Sequence, residues 1–185
     1  MFTRFISQYI GSIDCCPWVG HAYGLSAAPV KKAAPPYLYT PAERRRRDAT
    51  PWTMVQGVLA PLQFLVFLTS LTLVLRYLAT GQGLELATLS ILVKTAALLT
   101  IMVTGAVWEK AVFGQYLFAP AFFWEDVFSF LVILLHVTYV GLLVTGTGTA
   151  HAQMFVALAA YLAYVINAGQ FILKLRAARR EAVPA

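Results

Sequence analysis

Three carboxylates stand close together in a chain that carries few charges. Glu109, Glu125 and Asp126 flank an aromatic loop, between Trp108 and Trp124, that also holds Phe113, Tyr116, Phe118, Phe122 and Phe123. On either side run long apolar segments. Carboxyl groups can give or take protons, and rings around them disfavour the charged form. An aromatic belt with interfacial charges would produce a similar pattern at a membrane surface, so ring density alone does not decide the matter. Two further ionisable groups, Lys94 and His136, lie inside the apolar runs, where charge is expensive and marks function more often than packing.

The elements that must hold these groups follow from composition. Of the 185 residues, 59% are hydrophobic and 12% charged, which is too apolar for an ordinary water-soluble domain. Spanning a bilayer takes roughly 20 apolar residues in helical form. Four stretches qualify: Thr53–Leu75, Leu86–Trp108 (interrupted by Lys94), Val127–Thr149 and Ala152–Leu173. Backbone polar groups cannot go unpaired in lipid, so each is a helix. The expected fold is all-α, an integral membrane four-helix bundle. The net charge of +6 is explained by its location, with Arg44 to Arg47 before the first span and Lys174, Arg176, Arg179 and Arg180 after the last. By the positive-inside rule both termini and the 109–120 loop are cytoplasmic, and a nucleic-acid partner is not indicated. The adjacent Cys15 and Cys16 fit neither a structural disulfide nor a metal site.

Along the chain, residues 1–36 read as a flexible N-terminal extension without a cleavable signal, with a short surface helix at Phe2–Ile10 as its one structured candidate. Residues 37–51 form a basic juxtamembrane segment, 52–178 the four-helix domain and 179–185 a C-terminal tail. Thr40 followed by Pro41 and Glu43 reads as a helix start, and Thr50-Pro51 repeats it. Pro61 should kink the first span near Gly57. Polar residues recur at helical spacing on each span: Gln56, Gln63 and Ser70 on the first, Lys94 and Glu109 on the second, Glu125, Ser129, His136 and Tyr139 on the third, and Tyr164, Asn167, Gln170 and Lys174 on the fourth. His136 lies roughly 16 Å deeper than Glu125. Such stripes serve either as glue between helices or as the wall of a pocket. Lys94 must find a partner, lose its proton or snorkel outward.

Several chemistries fall away. The chain lacks facing His pairs for haem, the His-Glu-x-x-His zinc pattern, a phosphate-cradling Gly loop and a nucleophile elbow. Carboxylates with His, Lys and Tyr point instead to acid–base work on a hydrophobic ligand between aromatic walls. From Leu38 to Arg180 the chain resembles the 3-vinyl (bacterio)chlorophyllide hydratase family of bacteriochlorophyll biosynthesis. The resemblance is carried by LYTPAERRRRDATPWTMVQGVLAPLQFLVFL, ILVKTAALLTIMVTGAVWEKAVFGQYLFAPAFFWEDVFS and AYVINAGQFILKLRAAR.

That resemblance implies a hydro-lyase adding water to the 3-vinyl group of chlorophyllide a, with the bacteriochlorin bearing the same vinyl as a second substrate. It implies a multi-pass protein of the bacterial inner or photosynthetic membrane, with other enzymes of the pathway as candidate partners. No cofactor is expected, because the magnesium travels in the tetrapyrrole. Site roles are read from the residues themselves. The catalytic candidates are Glu125, Glu109 and Asp126, with Glu125 the favoured proton donor because it shares a face with Ser129 and His136. Candidates for binding the pigment are His136, Lys94, Gln56, Gln63, Trp108, Trp124, Asn167, Gln170 and Lys110. His136 is either a magnesium ligand or a packing residue, and Lys110, Arg47 or Lys174 can meet the pigment's propionate. A non-catalytic pigment-binding assembly factor is the alternative reading.

Overall fold

The computed structural model describes residues 38–181. The expected N-terminal extension, its surface helix at Phe2–Ile10, and Cys15 with Cys16 lie outside the described residues. Five helices follow in order: α1 (Pro41–Ala49), α2 (Pro51–Thr80), α3 (Leu84–Phe113), α4 (Phe123–Thr145) and α5 (Ala150–Glu181).

Local chemistry sets most of the boundaries. Thr40 caps α1 through a capping box: its hydroxyl accepts from the Glu43 N–H at 3.3 Å, and Glu43 Oε2 accepts from the Thr40 N–H at 2.8 Å. Pro51 opens α2, where a missing N–H costs nothing. Gly81, with φ 70°, ends α2 in the left-handed conformation, and a side chain there would be strained. α2 runs through Pro61 as one helix.

Four of these helices, α2 to α5, are long and apolar enough to cross a membrane. Their outward faces carry side chains such as Val144 (80% exposed) and Met54 (76%), which only lipid would solvate favourably. The inward faces bury Gln63, Ser70, Lys94, His136 and Asn167 among Val74, Ile91, Tyr139 and Tyr161. Polar groups face in and apolar groups face out, as a lipid solvent demands.

The packing is that of two hairpins. α2 lies along α3 and α4 along α5, whereas contacts between the hairpins, α2 with α5 and α3 with α4, are sparser. Short turns force the helices within each hairpin together, and the longer 114–122 loop imposes no such constraint between them. α1 packs against α3. Across the seam, Ser70 Oγ hydrogen-bonds the Tyr161 hydroxyl, and Phe67 meets the Tyr161 and Tyr164 rings at 5.4 and 5.0 Å.

Several boundaries differ from the sequence reading. α3 continues through Glu109 to Phe113, so the loop is 114–122 and not 109–120. α4 begins at Phe123 and ends at Thr145, which puts Glu125 and Asp126 in its first turn. α5 extends to Glu181, into the expected tail. Backbone hydrogen bonding does not stop where an apolar run meets its first charge, so helices outlast hydropathy windows.

Candidate functional site

All three carboxylates are buried at one end of the helices. Glu109 lies near the C-terminus of α3, while Glu125 and Asp126 belong to the first turn of α4. Glu109 Oε2 accepts the Ala119 N–H at 3.2 Å, and Asp126 Oδ2 accepts the Phe118 N–H at 2.7 Å. The two carboxyl groups thus sit behind neighbouring loop residues and act on each other electrostatically. Two buried carboxyl groups acting on each other disfavour a second negative charge, so a single shared proton suits this arrangement. Phe118, at φ 59°, is left-handed although it is not glycine, a strain of roughly 1–2 kcal/mol that the two carboxyl contacts offset.

Glu125 has a different partner. Its Oε2 pairs with the Lys174 ammonium, which also donates to the Ala121 carbonyl. The pair ties the start of α4 to the end of α5. The ion pair commits Glu125 to Lys174, so the three acids divide into a loop-anchoring couple and a structural clasp.

Rings close over this end. Tyr39 stacks on Phe113 at 5.8 Å, Trp108 stands edge-on to Phe113 and Phe122 at 5.9 and 5.6 Å, and Phe122 stacks on Phe171 at 6.0 Å. The Trp108 indole N–H donates to Thr53 Oγ1 at 2.9 Å, and Thr53 donates to the Arg47 carbonyl at 2.6 Å. The Arg47 guanidinium lies 4.9 Å above the Tyr39 ring. Burial pushes the Tyr39 phenol up to about 12, so it remains a neutral wall of the cluster.

Above the acids a column of buried polar groups leads into the seam. Asn167 Nδ2 donates to Ser129 Oγ at 2.8 Å. His136 Nδ1 lies 2.7 Å from the Val132 carbonyl, which can only accept, so Nδ1 carries the proton and the Nε2 lone pair points elsewhere. Lys94 is fully buried, its Nζ 3.6 Å above the Tyr164 ring. Six buried side-chain atoms have no hydrogen-bond partner among the described residues: Gln63 Nε2, Lys94 Nζ, His136 Nε2, Tyr139 Oη, Asn167 Oδ1 and Gln170 Oε1. Each would cost roughly 1–3 kcal/mol left unpaired, so the column has capacity to bind polar groups.

Residues 39–177 match the family model described as 2-vinyl bacteriochlorophyllide hydratase. The 2-vinyl bacteriochlorophyllide hydratase of Rhodobacter capsulatus is 69% identical over 145 residues, covering 78% of this chain and 84% of the relative. The protein of the same description from Cereibacter sphaeroides is 68% identical over 152 residues, covering 82% of this chain and 94% of the relative. This chain belongs to the 2-vinyl bacteriochlorophyllide hydratase family. No solved structure matches it. Membership makes it a hydro-lyase and favours the enzyme over the pigment-binding assembly factor.

Within the hydratase, the residues singled out from the sequence fall into separate groups. Glu109 and Asp126 meet, and Gln63, Lys94, His136, Asn167 and Gln170 bring unpartnered atoms to the column. Gln56 instead ties α2 to α3 by donating to Thr104 Oγ1 at 2.8 Å, and Trp108 is locked to Thr53. Lys110 donates to the Gly114 carbonyl at 2.7 Å, a helix-terminating contact. Trp124 departs from its expected place over the acids: it is 66% exposed and packs edge-on against Phe123. It lies one position before Glu125, so about 100° of helical rotation turns it outward. Sequence reasoning missed Tyr39 as a wall and the loop N–H groups of Phe118 and Ala119 as carboxyl anchors. Backbone donors leave no mark in a sequence, and a lone Tyr before a helix gives no signal of where it folds.

Proposed function

We propose that this hydratase adds water to the 3-vinyl group of chlorophyllide a, and of the bacteriochlorin bearing the same vinyl, to give the 3-(1-hydroxyethyl) product. We take the vinyl group named in the relatives' description to be this same substituent. The observation that supports the reading is the burial of Glu109 and Asp126 together beneath a roof of rings, an arrangement that favours one proton shared between two carboxyls. We assign the shared proton to Glu109, because a helix C-terminus disfavours negative charge and the N-terminus under Asp126 favours it.

In the first step the Glu109 carboxyl gives its proton to the terminal vinyl carbon, and the π electrons form the new C–H bond. The cation at the ring-attached carbon is delocalised into the macrocycle. Water then forms the C–O bond, its surplus proton passing to the carboxylate couple, which returns to its starting state. The balance is one water added, with no electrons gained or lost, so the reaction calls for no cofactor beyond the pigment's own magnesium. His136, whose Nε2 has no partner, would be the residue to hold that magnesium.

We place α1, the 114–122 loop and the end of α5 on the cytoplasmic side of the bacterial inner or photosynthetic membrane. Arg44 to Arg47, Lys174, Arg176 and Arg179 support that side. Other enzymes of the pathway would hand over the pigment there. The test is incubation of the purified protein with chlorophyllide a in ²H₂O. A blue-shifted hydroxyethyl product with deuterium in its methyl group is expected, and pigment binding without product would refute the reading.

A further inference from the structure

The end of the bundle that holds the acids also gathers positive charge, and the acid–base chemistry proposed above uses none of it. α1 carries Arg44, Arg45, Arg46 and Arg47 in succession, and the last turns of α5 carry Arg176 and Arg179. Tertiary packing makes the two stretches neighbours. Ala178, on α5 between the two arginines, is buried in the same apolar cluster as Tyr39, which lies just before α1.

The acids at this end are committed elsewhere. Asp48 pairs with Arg47 at 2.7 Å, and Glu43 Oε2 accepts from both the N–H and the hydroxyl of Thr40 at 2.8 Å. Glu125 holds Lys174, while Glu109 and Asp126 are buried behind the loop. Arg44, Arg45, Arg46, Arg176 and Arg179 have no carboxylate partner among the described residues. All but the half-buried Arg44 are exposed.

These arginines stand at the level of a bilayer surface. Only Thr50 separates α1 from α2, and Met54, 76% exposed on an apolar span, follows within about 6 Å of helical rise. Four consecutive arginines, turned about 100° from one to the next, surround α1, so guanidinium groups meet the membrane however the helix is rolled. A guanidinium pairs with phosphate through two parallel N–H groups. Basic clusters directly beside a membrane span are drawn to anionic lipid by about a factor of five per charge.

We propose that α1 and the end of α5 together form a binding surface for anionic phospholipid headgroups, with Arg45, Arg46, Arg176 and Arg179 as the phosphate-binding groups. An acidic protein would match the charge but not the depth, since the arginines border side chains that only lipid would cover. The surface is also tied to the acid-bearing site. Thr53 donates to the Arg47 carbonyl and accepts from the Trp108 indole, so a headgroup that holds α1 steadies the roof of rings. Headgroup binding is independent of which pigment the site takes.

The test is quenching of tryptophan fluorescence by brominated phospholipids, on the full chain reconstituted in phosphatidylcholine vesicles. Trp52, Trp108 and Trp124 lie at this end and report on it. Wild type should prefer brominated phosphatidylglycerol to brominated phosphatidylcholine by roughly tenfold or more, and about 0.5 M salt should remove most of the preference. Replacing both Arg45 and Arg46 by Gln should lower the preference at least about fivefold, whereas Lys at both positions should retain most of it. Arg76→Gln, at the opposite end of α2, should leave it unchanged. Equal quenching by the two lipids in wild type overturns the proposal and leaves the arginines to a protein partner. A preference that survives high salt or the paired Gln variant also overturns it. So does one abolished by soluble inorganic phosphate at matched ionic strength, which would make the ligand a free anion. The salt comparison rests on wild type alone and stands even if a variant does not fold.

Discussion

Replacing Glu109 by Gln should abolish hydration while sparing the fold. Gln keeps an oxygen to accept the Ala119 N–H and gains an amide donor for the Asp126 carboxylate, so both loop anchors survive. The stability change should stay within about 1 kcal/mol, the scale of one hydrogen bond exchanged for another. The amide cannot deliver a proton, so turnover should fall by roughly 10²–10⁴-fold, the usual range for a lost general acid. Glu125→Gln should behave in the opposite way. It breaks the clasp to Lys174, a pair whose side chains are 8% and 23% exposed. A fully buried pair would cost roughly 3–5 kcal/mol, and partial access of solvent to the lysine lowers this to about 1–3 kcal/mol. Its turnover per folded molecule should remain within about tenfold of wild type, because the proton-sharing couple is intact. Product formation from chlorophyllide a, followed by absorbance and chromatography, gives the rates, and thermal unfolding in detergent gives the stabilities. A fully active Glu109→Gln beside a dead but well-folded Glu125→Gln would return the donor to α4 and refute the division of the acids drawn here.

Other outcomes follow from the same geometry. His136→Ala should weaken binding of chlorophyllide a by about tenfold, near 1.4 kcal/mol, and leave its magnesium-free counterpart unaffected; equal losses for both pigments in absorbance titration would make His136 a packing residue. Tyr161→Phe and Ser70→Ala should each lower thermal stability by about 1 kcal/mol, with a double variant no worse than the poorer single one, since both remove the same bond across the seam. A tag after residue 185 should react with reagents only from the cytoplasmic side, and labelling restricted to the periplasmic side would invert the orientation.

Hydropathy and charge placement sufficed for the all-helical class and the four membrane-capable segments, because lipid admits little else at such lengths. The start of α1 was equally legible, since Thr40, Pro41 and Glu43 form a local capping grammar that needs no distant partner. Helical spacing also identified the inward stripe of Ser129, His136 and Tyr139, all buried in the structure. Pairing was not legible. Glu125 and Glu109 look equivalent in sequence, and the choice of Lys174 by one and Asp126 by the other depends on where α5 and α4 end beside α3. The outward turn of Trp124 and the inward burial of Lys94 without an acid have the same origin. A sequence records which groups a helix face carries, whereas the protonation and solitude of a buried group depend on what the facing helices bring within a few ångströms.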